Sequence, residues 1–168
     1  MTEFLSKKVI LAGPLAVGKT SLVQKFVYNK FSEKYISTIG VRIEKKVIDM
    51  DSHKLNLIIW DLAGESTQKK SPQSYFLGTN GIIYVVDISR PPTFLNIQAE
   101  IDYLKQKVPN APIIVIGNKA DLFKKEELEE TVSIIPVKPD FVTSAKTGDL
   151  VNEMFEELAS RILDLQTS

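Results

Sequence analysis

The stretch from Val9 to Ser21, Val-Ile-Leu-Ala-Gly-Pro-Leu-Ala-Val-Gly-Lys-Thr-Ser, constrains this chain more than any other. Val9 to Ala12 form an apolar run that reads as a buried strand. Gly13 ends it, four residues intervene, and Gly18-Lys19-Thr20 opens a helix. The spacing is G-x-x-x-x-G-K-[ST], in the strand-then-helix context that gives this pattern a mechanism. Glycines let the backbone curl so that its N–H groups face inward, and the helix N-terminus adds partial positive charge. Such a loop cradles phosphate oxygens, with Lys19 reaching the outer phosphates and the Thr20 hydroxyl able to hold a magnesium ion. The competing reading is a glycine turn with no ligand.

At 168 residues the chain is long enough to bury a substantial core, and residues 1–168 read as one domain. Lys and Arg equal Asp and Glu at 21 each, so nothing points to nucleic acid as a partner. The only arginines are Arg42, Arg90 and Arg161. The absence of cysteine excludes disulfides, thiolate metal sites and a thiol nucleophile. The one histidine, His53, lies in the polar stretch 49–54 and reads as part of a solvated hairpin tip. No apolar run approaches membrane-spanning length, and the first residues lack a signal-peptide hydrophobic region. Thr2 follows Met1 and Leu165-Gln166-Thr167-Ser168 contains no prenylatable cysteine, so no membrane anchor is expected. These features lead to an expectation of a cytoplasmic monomer.

Along the chain, strands and helices alternate. Lys7 to Ala12 reads as the first strand and Lys19 to about Asn29 as a helix burying Leu22, Val23, Phe26 and Val27. Val41 to Met50 and Lys54 to Trp60 suggest an antiparallel hairpin, with Asp61 breaking the second strand. Pro72 is placed to open a short helix. Gly81 to Asp87 and Pro112 to Gly117 are apolar runs of the kind found in parallel strands buried on both faces. Pro92 to Val108 reads as a helix between them. A short acidic helix over Glu126 to Thr131, a brief strand at Phe141-Val142 and a closing helix from Leu150 to Leu165 complete the pattern. That last helix is expected to bury Val151, Met154, Phe155, Leu158, Ile162 and Leu165. Alternation of this kind predicts an α/β fold, a mostly parallel sheet with helices on both faces.

In such sheets ligands bind outside the C-terminal ends of the strands. Four polar motifs fall there: Gly13 to Thr20, Asp61 to Gly64, Asn118 to Asp121, and Ser144 to Lys146. In Asn118-Lys119-x-Asp121 the carboxylate can accept hydrogen bonds from the N1–H and exocyclic amine of guanine. Adenine presents an acceptor at N1 and is repelled. The Lys119 stem can lie over the purine face.

With these residues in this order, the sequence resembles the Ras superfamily of small GTPases, and within it the Rab branch. The resemblance spans nearly the whole chain and includes Thr38-Ile39-Gly40, Trp60-Asp61-x-Ala63-Gly64 and Gly81 to Asp87 besides the motifs above. It implies a three-layer P-loop NTPase G domain with a six-stranded sheet, binding GTP or GDP with Mg²⁺. It implies that Gly13, Leu15, Ala16, Val17, Gly18, Lys19, Thr20 and Ser21 surround the phosphates, with Lys19 catalytic. Thr20 and Thr38 would ligate the metal, and Asp61 would hold it through water. Thr38 and Gly64 would contact the γ-phosphate and release it on hydrolysis. Phe31 would pack against the guanine, Tyr35 would join the nucleotide contacts, and Asn118, Lys119, Asp121, Ser144, Ala145 and Lys146 would hold the base. Ile43, Trp60 and Tyr75 match a hydrophobic triad that Rab proteins present to effectors; ordinary sheet packing is the other reading.

Two departures bear on hydrolysis. Where the family has a glutamine that orients the attacking water, this chain has Glu65. An ionised glutamate accepts a hydrogen bond from water but cannot donate one to the γ-phosphate, and it adds negative charge beside an anionic transition state. Leu15 stands where the phosphate loop usually carries a small residue. No arginine lies in either switch segment. The expectation is a molecular switch that hydrolyses GTP slowly. A GTP-bound interaction module with little hydrolysis and a nucleoside kinase or ATPase are the competing classes. The segment from Lys124 to Pro139 departs too, with a stunted fourth helix or a loop expected.

Overall fold

The computed structural model describes residues 2–35, 37–64 and 71–167. Six strands form one sheet: β1 (Glu3–Ala12), β2 (Val41–Met50), β3 (His53–Leu62), β4 (Thr79–Asp87), β5 (Ile113–Asn118) and β6 (Phe141–Val142). Their order is β2-β3-β1-β4-β5-β6. Only the β2–β3 hairpin pair is antiparallel; β1 pairs in parallel with β3 and β4, and β5 with β4 and β6.

Adjacent residues on a strand face opposite sides of the sheet, and the buried side chains of β1 separate accordingly. Val9 and Leu11 join one core with Leu57, Ile83 and Val85. That core is covered by α1 (Lys19–Tyr28) and by the last helix, α4 (Val151–Thr167). Phe26 of α1 and Phe155 of α4 stack within it, ring centroids 4.0 Å apart and nearly parallel at 7°. Ile10 and Ala12 face the other core, where α2 (Ile97–Lys107) contributes Ile97, Ile101 and Leu104. The sheet is thus buried on both faces, which is why its central strands carry continuous apolar runs.

Several boundaries differ from those read in the sequence. β1 begins at Glu3 rather than Lys7, because its first half pairs with β3 from Glu3↔His53 onward. Asp61 does not break β3, which continues through Leu62 opposite Arg42 and Val41. His53 starts that strand, its Nε2 3.3 Å from Glu3 Oε2. After Pro72 there is a single 3-10 turn, Gln73–Phe76. The helix expected from Pro92 starts only at Ile97; Pro91–Thr93 form a separate 3-10 turn. The two prolines offer no N–H, and the Thr93 hydroxyl donates to carbonyl oxygens of Asp87 and Arg90 instead. α3 (Lys125–Ser133) is a nine-residue helix with no buried residue, as stunted as its sequence suggested. Leu165, expected in the buried face of α4, is 55% exposed, because the core beneath that helix ends at Ile162 and Leu163. Glu65 lies outside the described residues.

Candidate functional site

The C-terminal ends of β1, β3 and β5, with the segment after β6, surround a cavity of about 360 Å³. Its lining includes Leu15, Ala16, Gly18, Lys19, Thr20, Ser21, Phe31, Tyr35, Thr38, Gly64, Asn118, Lys119, Asp121, Ala145 and Lys146. Gly13, Val17, Asp61 and Ser144 stand behind this surface: Val17, Asp61 and Ser144 are buried, and Gly13 meets the backbone of Val85. Every described residue predicted for the site therefore lies in or directly beneath one cavity.

At one end three oxygens converge. Thr20 Oγ1 donates to Asp61 Oδ2 at 2.5 Å and lies 2.7 Å from Thr38 Oγ1. The other Asp61 oxygen, Oδ1, is buried without a hydrogen-bond partner among the described residues, which is costly for a carboxylate unless a further partner is supplied. Burial raises the Asp61 pKa, against the opposing pull of the Thr20 hydroxyl and Lys19. Two hydroxyls and one carboxylate are hard oxygen donors. Such a set fits Mg²⁺, which takes one or two carboxylates and completes its shell with waters and substrate phosphates. Among the described residues no group of three or more His, Cys, Asp or Glu could hold a metal alone.

Lys19 supplies the matching charge. Its ammonium is buried and donates to the carbonyls of Gly13 and Pro14, both at 2.8 Å. Burial lowers its pKa to about 8, with Asp61 pulling the other way. A desolvated cation ringed by carbonyl dipoles, under a helix N-terminus, is an anion site. Gly64 closes over it. A Cβ there would lie 2.7 Å from Leu15 Cα and 3.0 Å from Lys19 Nζ, so only glycine fits.

The other end is built from β5 and the segment after β6. Asn118 Oδ1 accepts from Thr143 Oγ1 at 3.0 Å and from the Ala145 amide at 3.3 Å, while its Nδ2 donates to Val17 O at 3.0 Å. Ser144 Oγ donates to Asp121 Oδ1 at 2.7 Å, which orients that carboxylate in the cavity wall. Lys119 Nζ donates to Ala16 O and pairs with Asp87, each at 2.9 Å. Phe31 and Tyr35 also line the cavity, and Lys146 Nζ lies 3.1 Å from Glu33 Oε1.

Two further observations complete the picture. Ile43 and Trp60 are register partners across β2 and β3, and Trp60 meets Tyr75 edge-on, centroids 5.9 Å apart. Lys8 lies over the Trp60 ring at 3.8 Å and donates to the carbonyls of Tyr75 and Leu77. Arg90, which sequence reasoning left out of the site, reaches the phosphate loop: its Nη2 donates to Leu15 O at 2.7 Å. The available signal was its position three residues beyond Asp87, at a strand end. No helix among the described residues is long and apolar enough to cross a membrane.

Comparison with known proteins agrees with this geometry. The Ras family profile matches residues 8–164. The chain is 35% identical to the Ras-related protein Rab-32C of Dictyostelium discoideum, over 96% of this chain and 75% of that protein. It is 34% identical to the Ras-related protein Rab-13 of Canis lupus familiaris, over 93% and 79%. With the Ras-related protein Rab-7b of Mus musculus it shares 36% identity, over 93% and 82%. The chain belongs to the Ras family and is Rab-like: a GTP-binding molecular switch that hydrolyses GTP.

Proposed function

We propose that the cavity holds guanine nucleotide with Mg²⁺ in one orientation, the base at Asn118 and Asp121 and the phosphates at Lys19. The observation that carries this reading is the meeting of two separately built ends in one cavity. The buried Lys19 ammonium and the Thr20, Thr38 and Asp61 oxygens form one end. The Ser144-oriented carboxylate of Asp121 forms the other. When bound, Mg²⁺ supplies charge neutralisation to the phosphates; Thr20, Thr38 and Asp61 hold it. Lys19 binds the outer phosphates, Gly64 offers its backbone to the γ-phosphate, and Thr38 links that phosphate to the segment ahead of β2. Phe31 and Tyr35 cover the nucleotide from the open side, and Ala145 and Lys146 support the base.

Effector and regulator proteins then read the segments on either side. Ile43, half exposed, lies opposite Trp60, and Trp60 and Tyr75, partly buried against the core with Lys8 over the indole, complete the candidate effector surface. The cysteine-free composition suits a reducing compartment such as the cytoplasm.

The hydrolytic step is slow in this reading. Leu15 is 52% exposed on the lip of the cavity, against Gly64, where its bulk crowds the water and any arginine brought by a partner. Glu65 places an anion next to the same position in sequence. Single-turnover GTP cleavage by the wild type, Leu15→Gly and Glu65→Gln tests this. Acceleration of at least about tenfold in either variant, roughly 1.4 kcal/mol in the barrier, supports it. No acceleration in either, alone or with an activating protein, overturns it.

A further inference from the structure

Three successive peptides of the phosphate loop are held from outside by three different side chains. The carbonyl of Leu15 accepts from Arg90 Nη2 at 2.7 Å, that of Ala16 from Lys119 Nζ at 2.9 Å, and that of Val17 from Asn118 Nδ2 at 3.0 Å. In a planar trans peptide the C=O and the following N–H point in opposite directions. Pinning these carbonyls outward therefore aims the amides of Ala16, Val17 and Gly18 to the other side, as a nest for an anion. The arrangement is strained: Ala16 sits at φ 62°, a left-handed conformation that is unfavourable for a residue with a Cβ. Arg90 and Lys119 grip the carbonyls on either side of that residue.

Arg90 is itself fixed. Its Nε donates to Asp87 Oδ2 at 2.9 Å, and the same carboxylate oxygen takes Lys119 Nζ at 2.9 Å. Asp87 Oδ1 accepts from the Ser89 amide at 2.9 Å and hydroxyl at 2.6 Å. The carboxylate is 1% exposed, while the arginine is 44% exposed. One buried anion thus braces both cations that grip the loop.

We propose that Arg90, braced by Asp87, is a positioning residue that sets how fast nucleotide leaves, by holding the Leu15–Ala16 peptide with its amide toward the phosphates. The proposal rests on the reading of this loop as the nucleotide site. Losing a hydrogen bond from a charged donor costs enough for about a tenfold change in rate. The guanidinium fork spans Asp87 and Leu15 at once, whereas a lysine presents one nitrogen and cannot reproduce both contacts.

The test is GDP dissociation from purified protein with Mg²⁺ present, for wild type, Arg90→Ala and Arg90→Lys, with amide exchange measured along the chain. The expected result is release about tenfold faster in Arg90→Ala and intermediate in Arg90→Lys, with faster exchange confined to residues 13–18. In Arg90→Ala, a further Ala16→Gly change, which relieves the left-handed strain, recovers part of the wild-type rate. Release within twofold of wild type, or exchange raised throughout the sheet, overturns the role of Arg90. Failure of the wild type to bind GDP at all would instead overturn the nucleotide reading beneath it.

Discussion

Thr20 and Asp61, 41 residues apart, meet at 2.5 Å, and Asp61 Oδ1 is buried without a hydrogen-bond partner among the described residues. The first belongs to the phosphate loop and the second to the end of β3, so the contact ties the phosphate loop to that strand end. If a magnesium ion completes this set, Asp61→Ala weakens metal affinity by about 10–100-fold, the range typical of ligand-orienting groups. Titration of nucleotide release against free Mg²⁺ measures it. An unchanged Mg²⁺ midpoint in the variant would place the metal elsewhere.

Gly64 itself packs closely against the phosphate loop. Adding a Cβ 2.7 Å from Leu15 Cα forces one backbone away from the other, at a cost of about 1–3 kcal/mol. Gly64→Ala should therefore bind GDP normally and lose about tenfold of its affinity for GTP, which needs the Gly64 backbone beside the loop. Parallel titrations with the two nucleotides check the difference.

Much of this site was readable because its parts are local. A phosphate loop, a base-reading tetrapeptide and Ser144-Ala145-Lys146 each carry their chemistry within a few residues, and the alternation of apolar runs places them at one sheet edge. Arg90 was not readable, because its partner is a backbone carbonyl 75 residues away whose direction depends on the left-handed Ala16. The start of the helix expected from Pro92 was missed for a related reason: two prolines and the Thr93 hydroxyl settle the turn at 91–93 in a way that periodicity does not report. Leu165 kept the helical spacing of a core residue but lies beyond the end of the sheet beneath it.

Asp87 predicts a pH dependence. Burial alone would raise its pKa, but hydrogen bonds from Ser89 and the bond and charge of Lys119 outweigh burial and hold it below 3.8. The folded state then binds fewer protons than the unfolded one around that pH. The resulting stability is complete above about pH 4 and is lost as pH falls through the folded value. Acid titration of unfolding free energy should show a steeper loss below pH 4 in the wild type than in Asp87→Asn. Identical slopes would remove Asp87 from the account.

The stacked Phe26–Phe155 pair predicts where the fold is most vulnerable. Both rings are buried between α1, α4 and the sheet, so Phe155→Ala leaves a cavity and costs about 3–5 kcal/mol. Chemical denaturation measures it. A loss under 1 kcal/mol would mean that α4 repacks freely.

Asp121 offers the most direct test of the central claim, that this cavity selects guanine. Its carboxylate is oriented by Ser144 at 2.7 Å and lines the cavity. Asp121→Asn replaces one acceptor oxygen by a donor facing the guanine N1–H, losing a charge-assisted contact of about 1.5–3 kcal/mol. Competition of GDP against ADP for the wild type and for Asp121→Asn measures the selectivity. The account predicts strong preference for GDP in the wild type and a loss of about 10–100-fold in the variant. Equal binding of the two nucleotides by the wild type, or an unchanged preference in the variant, would contradict it.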